Sequence, residues 1–366
     1  MKITFPHMGN TYIPIKALFD DLGVETVVPP KCSKKTLELG TKYAPELICL
    51  PLKINLGNYI ESIEKGADTI AIVGSCGPCR FGYYSEVQKE ILRDLGYNVE
   101  IVVLEIPEGD IVEFCNRIGK ITNTKNPIKI MKCFANAMKV LRKINGFEEK
   151  VLRLRPYEVN KGDIDELYHQ LVKKLEDSTG SKAMIHHMDW AMGRLQEVPL
   201  DRKRDVLKVG IVGEIYTVID DFSNLDIGKK LNDMGVEVHK SLSAGEWMTD
   251  VIYYRSIGTS RERRIWDAAE PYVQVCIGGH GRETIGNTVR YAEEGYDGVI
   301  QLMPFTCMPE IVSMSIMPKV QEEKNIPVLS LMIDEMTGEA GYQTRLEAYI
   351  DLLRNRREKN KSKKSN

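Results

Sequence analysis

The chain has 366 residues, of which 43% are hydrophobic and 28% charged, so it is long enough to form two domains with buried cores. The formal net charge is −2 and basic residues alternate with acidic ones, which argues against nucleic acid as a partner. No apolar run approaches the roughly 20 residues that span a bilayer, and the first residues do not resemble a signal peptide. We therefore expect a cytoplasmic protein that binds neither membrane nor nucleic acid.

Short apolar runs alternate with helical patterns over the first third of the chain. Strands are predicted at KITF, VETVVPP, ELICL, TIAIVGS and NVEIVVLE. This spacing favours βαβ units with a parallel sheet. From Ile128 to Lys203 the periodicity is helical and no strand-like run intervenes, which predicts a helical connector.

Strand and helix patterns alternate again in the last part of the chain, with strands predicted at VLKVGIVGEIY, VEVHKS, VQVCIGG, GVIQLMP and IPVLSLMID. The predicted fold class is α/β, with two parallel-sheet lobes and a helical connector. The predicted boundaries are an N-terminal lobe at 1–127, the connector at 128–205, a C-terminal lobe at 206–355 and a basic disordered tail at 356–366.

Eight cysteines are too few for a disulfide scaffold in a chain of this length, so clustered cysteines are more typical of metal binding or redox chemistry. Four of them follow predicted strands: Cys49 after PELI, Cys76 and Cys79 after TIAIVGS, and Cys307 after GVIQLMPFT. Carboxyl ends of parallel strands are where open α/β sheets bind ligands. Each site also precedes a predicted helix, whose N-terminal N–H groups would stabilise thiolates. We predict that these cysteines bind an iron–sulfur cluster in a crevice between the lobes.

Three other cysteines have a different context. Cys115 and Cys133 lie in helical patterns and Cys276 in a strand pattern, so all three are predicted to be structural. Two alternatives to a cluster remain open. The segment Cys76-Gly-Pro-Cys79 has the spacing of thiol–disulfide oxidoreductases, although Ser75 stands where thioredoxins usually have Trp. A structural zinc site would usually use closely spaced cysteine pairs, which Cys307 does not supply.

Several motifs together resemble one known family: Cys49-Leu-Pro-Leu-Lys53, Gly77-Pro-Cys79-Arg80, Val212-Gly-Glu214-Ile-Tyr216, Gly278-Gly-His280-Gly281 and Pro304-Phe-Thr-Cys307-Met-Pro-Glu310. In these motifs, and over nearly the whole chain, the sequence resembles the 2-hydroxyacyl-CoA dehydratase-type family, specifically the branch related to acyl-CoA dehydratase activases. The resemblance implies two flavodoxin-like lobes and a low-potential cubane (4Fe-4S) cluster. It implies Cys49, Cys79 and Cys307 as the first ligands, with Cys76 next and Cys32 as a weaker candidate. Related double-cubane proteins carry two linked cubanes.

The resemblance also implies a function. The cluster would accept low-potential electrons from a separate ATP-dependent activator, an ASKHA-type ATPase with its own iron–sulfur cluster, to reduce or dehydrate an acyl-CoA or small-molecule substrate. A homo- or hetero-oligomer is expected. The chain contains no GxxxxGK[ST] motif, so ATP hydrolysis is assigned to the partner. The alternatives are an electron-transfer or scaffold subunit without substrate turnover, and a thiol–disulfide oxidoreductase.

Polar residues near the predicted strand ends are candidates for substrate chemistry. Backbone amides of Gly278, Gly279 and Gly281, with Arg282, could bind a phosphate or CoA pyrophosphate, although a tight turn explains the glycines equally well. His280, Glu214 and Glu310 are candidate catalytic acids or bases, and Glu310 also suits a helix N-terminus. Lys53 and Arg80 could balance the charge of a cluster, or could be ordinary surface residues.

Overall fold

The computed structural model describes residues 1–73, 79–104, 111–122, 124, 126–249 and 263–364. It contains two parallel sheets of three and four strands, each flanked by helices, consistent with two flavodoxin-like lobes. The chain divides into two compact units. The first comprises Met1–Phe147, Leu167–Gln196 and Ala244–Ile257, and the second comprises Glu148–Glu166, Glu197–Ser243 and Gly258–Asn366. The segment predicted as a helical connector is thus divided between the two units.

The sheet of the first unit consists of β1 (Ile3–Thr4), β2 (Thr69–Val73) and β3 (Glu100–Leu104) in that order. All neighbours are parallel, as the βαβ alternation predicted. The central strand β2 reads TIAIV, the near-continuous apolar run that a parallel strand covered on both faces requires, whereas the edge strand β3, EIVVL, is only partly buried.

The described helices up to residue 197 are α1 (Tyr12–Leu22), α2 (Lys34–Tyr43), α3 (Leu50–Glu64), α4 (Tyr84–Asp94), α5 (Ile111–Thr122), α6 (Pro127–Leu154), α7 (Asp163–Glu176) and α8 (Ser181–Glu197), with short 3-10 helices at Gly9–Thr11, Arg80–Tyr83 and Arg155–Tyr157. Helices α2 and α3 approach unusually closely. A Cβ atom on Gly40 would lie 1.7 Å from the backbone oxygen of Lys53, and one on Gly57 would lie 1.9 Å from that of Thr36. Only glycine allows this contact between two helices.

Two strand predictions in the first unit are wrong. The run VETVVPP contributes only an isolated bridge between Ile3 and Thr26. The run ELICL forms a turn at 45–48 and then enters α3. Pro45 precedes this run and Leu47 is 69% exposed, so the segment cannot serve as a buried parallel strand. Cys49 therefore follows a turn, not a strand.

The second sheet contains β4 (Leu207–Gly213), β5 (Val236–Lys240), β6 (Gly298–Pro304) and β7 (Val328–Ile333). Its order, β5-β4-β6-β7, is all parallel and is the second-first-third-fourth order of flavodoxin-like sheets. The remaining helices are α9 (Ile215–Ile219), α10 (Ile227–Asp233), α11 (Ala244–Thr249), α12 (Arg263–Ala269), α13 (Gly281–Glu293), α14 (Met308–Lys324) and α15 (Glu339–Lys364).

Two further predictions need correction. Residues 273–280 form no strand, and Cys276 is exposed there. The basic segment predicted to be disordered from residue 356 instead continues α15 to Lys364, because Arg357 pairs with Asp205 and Asp297. The prediction for Cys115 and Cys133 is confirmed, since both are buried in one apolar cluster with Leu18. No described helix has the length and apolar character needed to cross a membrane.

Candidate functional site

Three candidate cysteines share one backbone position, the residue immediately before a helix. Cys49 precedes α3, Cys79 precedes the 3-10 helix Arg80–Tyr83, and Cys307 precedes α14. Their φ angles are −68°, −70° and −72°, with ψ in the extended range. None of the three sulfurs makes a capping hydrogen bond to its own helix. As a general rule, the positive end of a helix dipole favours the thiolate form of a thiol placed at the helix N-terminus, which is why this shared position matters for metal binding.

A proline follows two residues after Cys49 and again after Cys307, as Pro51 and Pro309. Proline fits the first helical turn because the N–H it lacks would have no acceptor there, and its fixed φ suits a helix start. The sequence Cys-X-Pro thus sets the start of both α3 and α14, and with it the position of each cysteine.

The turn that leads into Cys49 is fixed from three sides. Lys53 Nζ donates to the backbone oxygen of Glu46 at 2.9 Å, and Arg80 Nη1 donates to that of Leu47 at 3.3 Å. The Cys49 sulfur is hydrogen-bonded to the Tyr84 hydroxyl. Lys53 is only 2% exposed, so the surface role left open from the sequence is wrong.

Cys79 lies close in structure to the Cys49 turn, because its neighbours contact that turn directly. Arg80 reaches the backbone at Leu47, and the Phe81 ring lies 4.8 Å from that of Tyr84, the partner of Cys49. Phe81 also packs on the apolar cluster that contains Cys49. Cys79 itself is half-buried. Cys76 lies outside the described residues.

Cys32 is buried beside the extended segment that precedes α2. Its sulfur donates to Asn58 Oδ1 at 3.5 Å, and Asn58 Nδ2 donates to the backbone oxygen of Pro30 at 3.3 Å. His7 lies near it, with one of its ring nitrogens and the Cys32 sulfur within 4.8 Å of each other. Burial, with a smaller effect of Lys31, lowers the pKa of His7 to about 4. No motif in the sequence singles out His7, which lies three residues after β1.

In the second unit, the strand order reverses between β4 and β6, which is the point where open α/β sheets usually bind ligands. Glu214 follows β4 and Cys307 follows β6 by three residues. The two strand ends are close, because Glu214 N donates to the Leu302 backbone oxygen at 3.0 Å. Gly213, with φ of 135°, permits this approach, since a Cβ there would lie 1.9 Å from the same oxygen.

Glu310 is fully buried in the first turn of α14. Thr284 Oγ1 and Gln301 Nε2 each donate to its carboxyl group at 3.0 Å, and Ser330 Oγ donates to Gln301 Oε1 at 2.8 Å. Burial raises the pKa of Glu310 to about 8, with contributions from nearby Glu214 and Glu283, despite these hydrogen bonds. The carboxyl group therefore holds a proton at neutral pH.

Glu214 is engaged in its own helix. Its carboxylate accepts hydrogen bonds from Tyr216 N at 3.0 Å and Thr217 N at 2.9 Å, so it caps α9. Burial raises the pKa of Glu214, and these backbone hydrogen bonds oppose that change. Both predicted carboxyl groups thus lie near the same strand ends, but each has a structural partner.

The glycine-rich loop before α13 packs against the start of α14. A Cβ atom on Gly279 would lie 3.1 Å from Pro309 Cγ, and one on Gly281 would lie 2.7 Å from the Pro309 backbone oxygen. Gly278 and Gly279 have φ of 84° and 49°. Close packing therefore accounts for the glycines, and His280 is the residue that precedes α13.

Arg282 points onto Trp266. Its Nη2 donates to the Trp266 backbone oxygen at 3.3 Å, and its guanidinium lies 5.5 Å from the centre of the indole ring. The indole N–H in turn donates to Glu283 Oε1 at 2.8 Å. Phosphate binding by this loop stays a prediction.

Sequence reasoning missed three residues around Cys307. Thr306 has φ of 65°, a strained conformation for a β-branched residue, directly before the cysteine. Thr284 and Gln301 hold Glu310. One signal was available, because Gln301 interrupts the apolar strand GVIQLMP, and a polar residue in a buried strand requires a partner. No pattern in the sequence predicts the positive φ of Thr306.

Residues 7–72 match the family model described as CoA enzyme activase uncharacterised domain (DUF2229). The matched segment contains His7, Cys32 and Cys49 and ends within β2, before Cys79. No curated protein matches the chain. The match relates the N-terminal part of the chain to activase-related CoA enzymes, without reaching the dehydratase-type branch.

Proposed function

We propose that this chain is an iron–sulfur protein of an activase-related CoA-enzyme system, with Cys49, Cys79 and Cys307 as thiolate ligands of iron. The observation that carries the proposal is that all three cysteines, chosen from the sequence, occupy the residue before a helix. Helix N-termini stabilise the negative charge of thiolates and of thiolate-bound clusters. Cys76 is proposed as a further ligand.

The donor set around Cys49 fits such a group. Thiolates are the usual ligands of iron–sulfur clusters, and Cys49 is surrounded by Leu52, Ile72 and Tyr84 in an apolar cluster. A bound cluster would supply one-electron transfer at low potential. The Tyr84 hydroxyl orients the Cys49 sulfur, while Lys53 and Arg80 fix the backbone of the preceding turn. This anchoring keeps the thiol in place before any metal is bound.

The proposed partner is a separate ATP-dependent activator with its own iron–sulfur cluster, and the proposed substrate is an acyl-CoA or a small molecule. The description of the family match, a CoA enzyme activase, supports a CoA enzyme as partner. Glu310 holds a proton in the second unit, but its complete burial excludes direct contact with a substrate.

A second candidate function, an electron-transfer or scaffold subunit without turnover, is favoured by a specific observation. The predicted catalytic or phosphate-binding residues Glu214, Glu310 and Arg282 are all engaged in structural contacts. The two functions are separated by turnover assays with a cognate activator, ATP and reductant. Substrate-dependent oxidation of the reduced chain alone would reject the scaffold role.

The experiment that tests the proposal is anaerobic reconstitution with iron and sulfide, followed by iron counting and EPR of the reduced protein. We expect about four irons per chain, or about eight if two cubanes are bound. Cys49→Ser and Cys79→Ser should each lose most of the iron, and Cys307→Ser tests the second unit separately.

Cys115→Ser and Cys133→Ser are matched controls, because both cysteines are buried in an apolar cluster of helices and should leave the iron content unchanged. Iron-free wild-type protein after reconstitution, or full iron content in the Cys49 and Cys79 variants, would refute the proposal. Disulfide reduction by metal-free wild-type protein, lost in Cys79→Ser, would instead support the thiol–disulfide oxidoreductase.

A further inference from the structure

A second group of metal-ligating atoms lies in the first unit, at the carboxyl end of β1. The chain leaves β1 at Thr4 and reaches His7 three residues later. The segment around Thr26 runs parallel to β1, since Val27 N donates to the Ile3 backbone oxygen at 2.8 Å, and it leads on to Cys32. Two chain segments that run side by side thus deliver a histidine and a cysteine to the same edge of the sheet.

The His7 side chain is held in one orientation. Its ring stacks on Tyr12 with 4.6 Å between ring centres, and its backbone oxygen accepts a hydrogen bond from Thr11 Oγ1 at 3.2 Å. Its Nδ1 atom is buried, and no hydrogen-bond partner for it occurs among the described residues. A buried polar atom without a partner destabilises the fold by about 1–3 kcal/mol. A bound ligand would remove that penalty.

The Cys32 sulfur is the nearby atom suited to share such a ligand. It lies within 4.8 Å of a ring nitrogen of His7. Two ligand atoms of a tetrahedral zinc ion are about 3.5 Å apart, given typical zinc–nitrogen and zinc–sulfur distances, so a small side-chain movement suffices. Asn58 Oδ1 accepts the hydrogen bond from the thiol, and its side chain is fixed on the Pro30 backbone, as a residue orienting a metal ligand would be.

We propose that a ring nitrogen of His7 and the sulfur of Cys32 together bind a thiophilic divalent cation such as Zn²⁺. The site uses none of the cysteines assigned to iron.

Co²⁺ is the probe for this site, because its bond to a thiolate gives charge-transfer absorption. The titration uses reduced full-length protein in which Cys49, Cys76, Cys79 and Cys307 are all serine, so that the inference and the proposed function can fail separately. We expect one Co²⁺ per chain with a charge-transfer band. Cys32→Ser should abolish the band, and His7→Gln should weaken binding by roughly tenfold or more.

Two further variants make the test specific. Asn58→Ala should weaken Co²⁺ binding by roughly tenfold while keeping the band, and Cys133→Ser, a buried cysteine elsewhere, should change nothing. If the protein with four serines does not fold, the titration is done with the four cysteines intact. Wild type should then bind one more thiolate-bound Co²⁺ per chain than Cys32→Ser does. Absence of the band, or unchanged binding in Cys32→Ser and His7→Gln, would overturn the proposal.

Discussion

Replacing Glu310 with glutamine should stabilise the protein in neutral solution and remove a pH dependence. Burial raises the pKa of Glu310 from its ordinary 4.5 to about 8, so the folded state favours the protonated form. As pH rises from about 4.5 to 8, the unfolded chain ionises first, and the free energy of unfolding falls. A pH of 7 lies about 2.5 units above the ordinary pKa of 4.5, so at this pH the buried carboxyl lowers the free energy of unfolding by about 3 kcal/mol.

Glutamine is a neutral match for the protonated carboxyl. Its oxygen can accept from Gln301 Nε2, and its amide can donate to the Thr284 hydroxyl, so both contacts are retained. Glu310→Gln and wild type should therefore have similar stability at pH 5. At pH 8 the variant should be more stable by about 4 kcal/mol, or roughly 8 °C or more in Tm for a unit of this size.

The measurement is thermal unfolding of reduced, metal-free protein at pH 5 and pH 8. Glu322→Gln, an exposed position on the same helix α14, is the matched control and should change stability by less than about 0.5 kcal/mol at either pH. If Glu310→Gln destabilises the protein equally at pH 5 and pH 8, Glu310 is ionised in the folded state, and the inference that burial raises its pKa is wrong.

Three other changes test local contacts. Gly40→Ala places a Cβ 1.7 Å from a backbone oxygen of α3 and should destabilise the fold by about 3 kcal/mol. Gly146→Ala, where the space around the Cβ is open, should stabilise the fold by about 0.5–1 kcal/mol. Chemical unfolding of both variants measures the two changes. Tyr84→Phe removes the hydroxyl bonded to Cys49 and should lower the reduction potential of the reconstituted protein in a redox titration. Tyr157→Phe removes a 2.7 Å hydrogen bond to buried Glu237 and should lower the unfolding free energy by roughly 1–3 kcal/mol.

The strands of both sheets were predictable wherever an apolar run was long enough to be covered on both faces. TIAIV and GVIQLMP are such runs, and both form central strands. The runs ELICL and VQVCIGG have similar composition but form no strand. Leu47 and Cys276 are exposed in them, and exposure depends on the rest of the fold, which a window of a few residues does not contain.

The sequence predicted the place of a residue in a helix or strand better than it predicted the burial and the partners of its side chain. Glu310 was expected at a helix N-terminus, where it lies, but its burial and raised pKa depend on Gln301 and Thr284, which come from different elements. Lys53 was expected to balance the charge of a cluster or to be a surface residue; it is buried, and its Nζ donates to a backbone oxygen of the turn before Cys49. Such partners are set by tertiary packing, so no local pattern in the sequence could identify them.

The two Cys-X-Pro segments show which part of the candidate site the sequence does determine. Cys49 and Cys307 were selected because each seemed to follow a strand, and for Cys49 that reason was wrong. The prediction that a helix follows each cysteine is confirmed, because proline two residues later suits the first turn of a helix regardless of what precedes the cysteine. The preceding chain then adapts in different ways, through the anchored turn before Cys49 and through the strained Thr306 before Cys307. A strained residue is retained only where the surrounding structure enforces it, so the exact placement of Cys307 is itself under constraint.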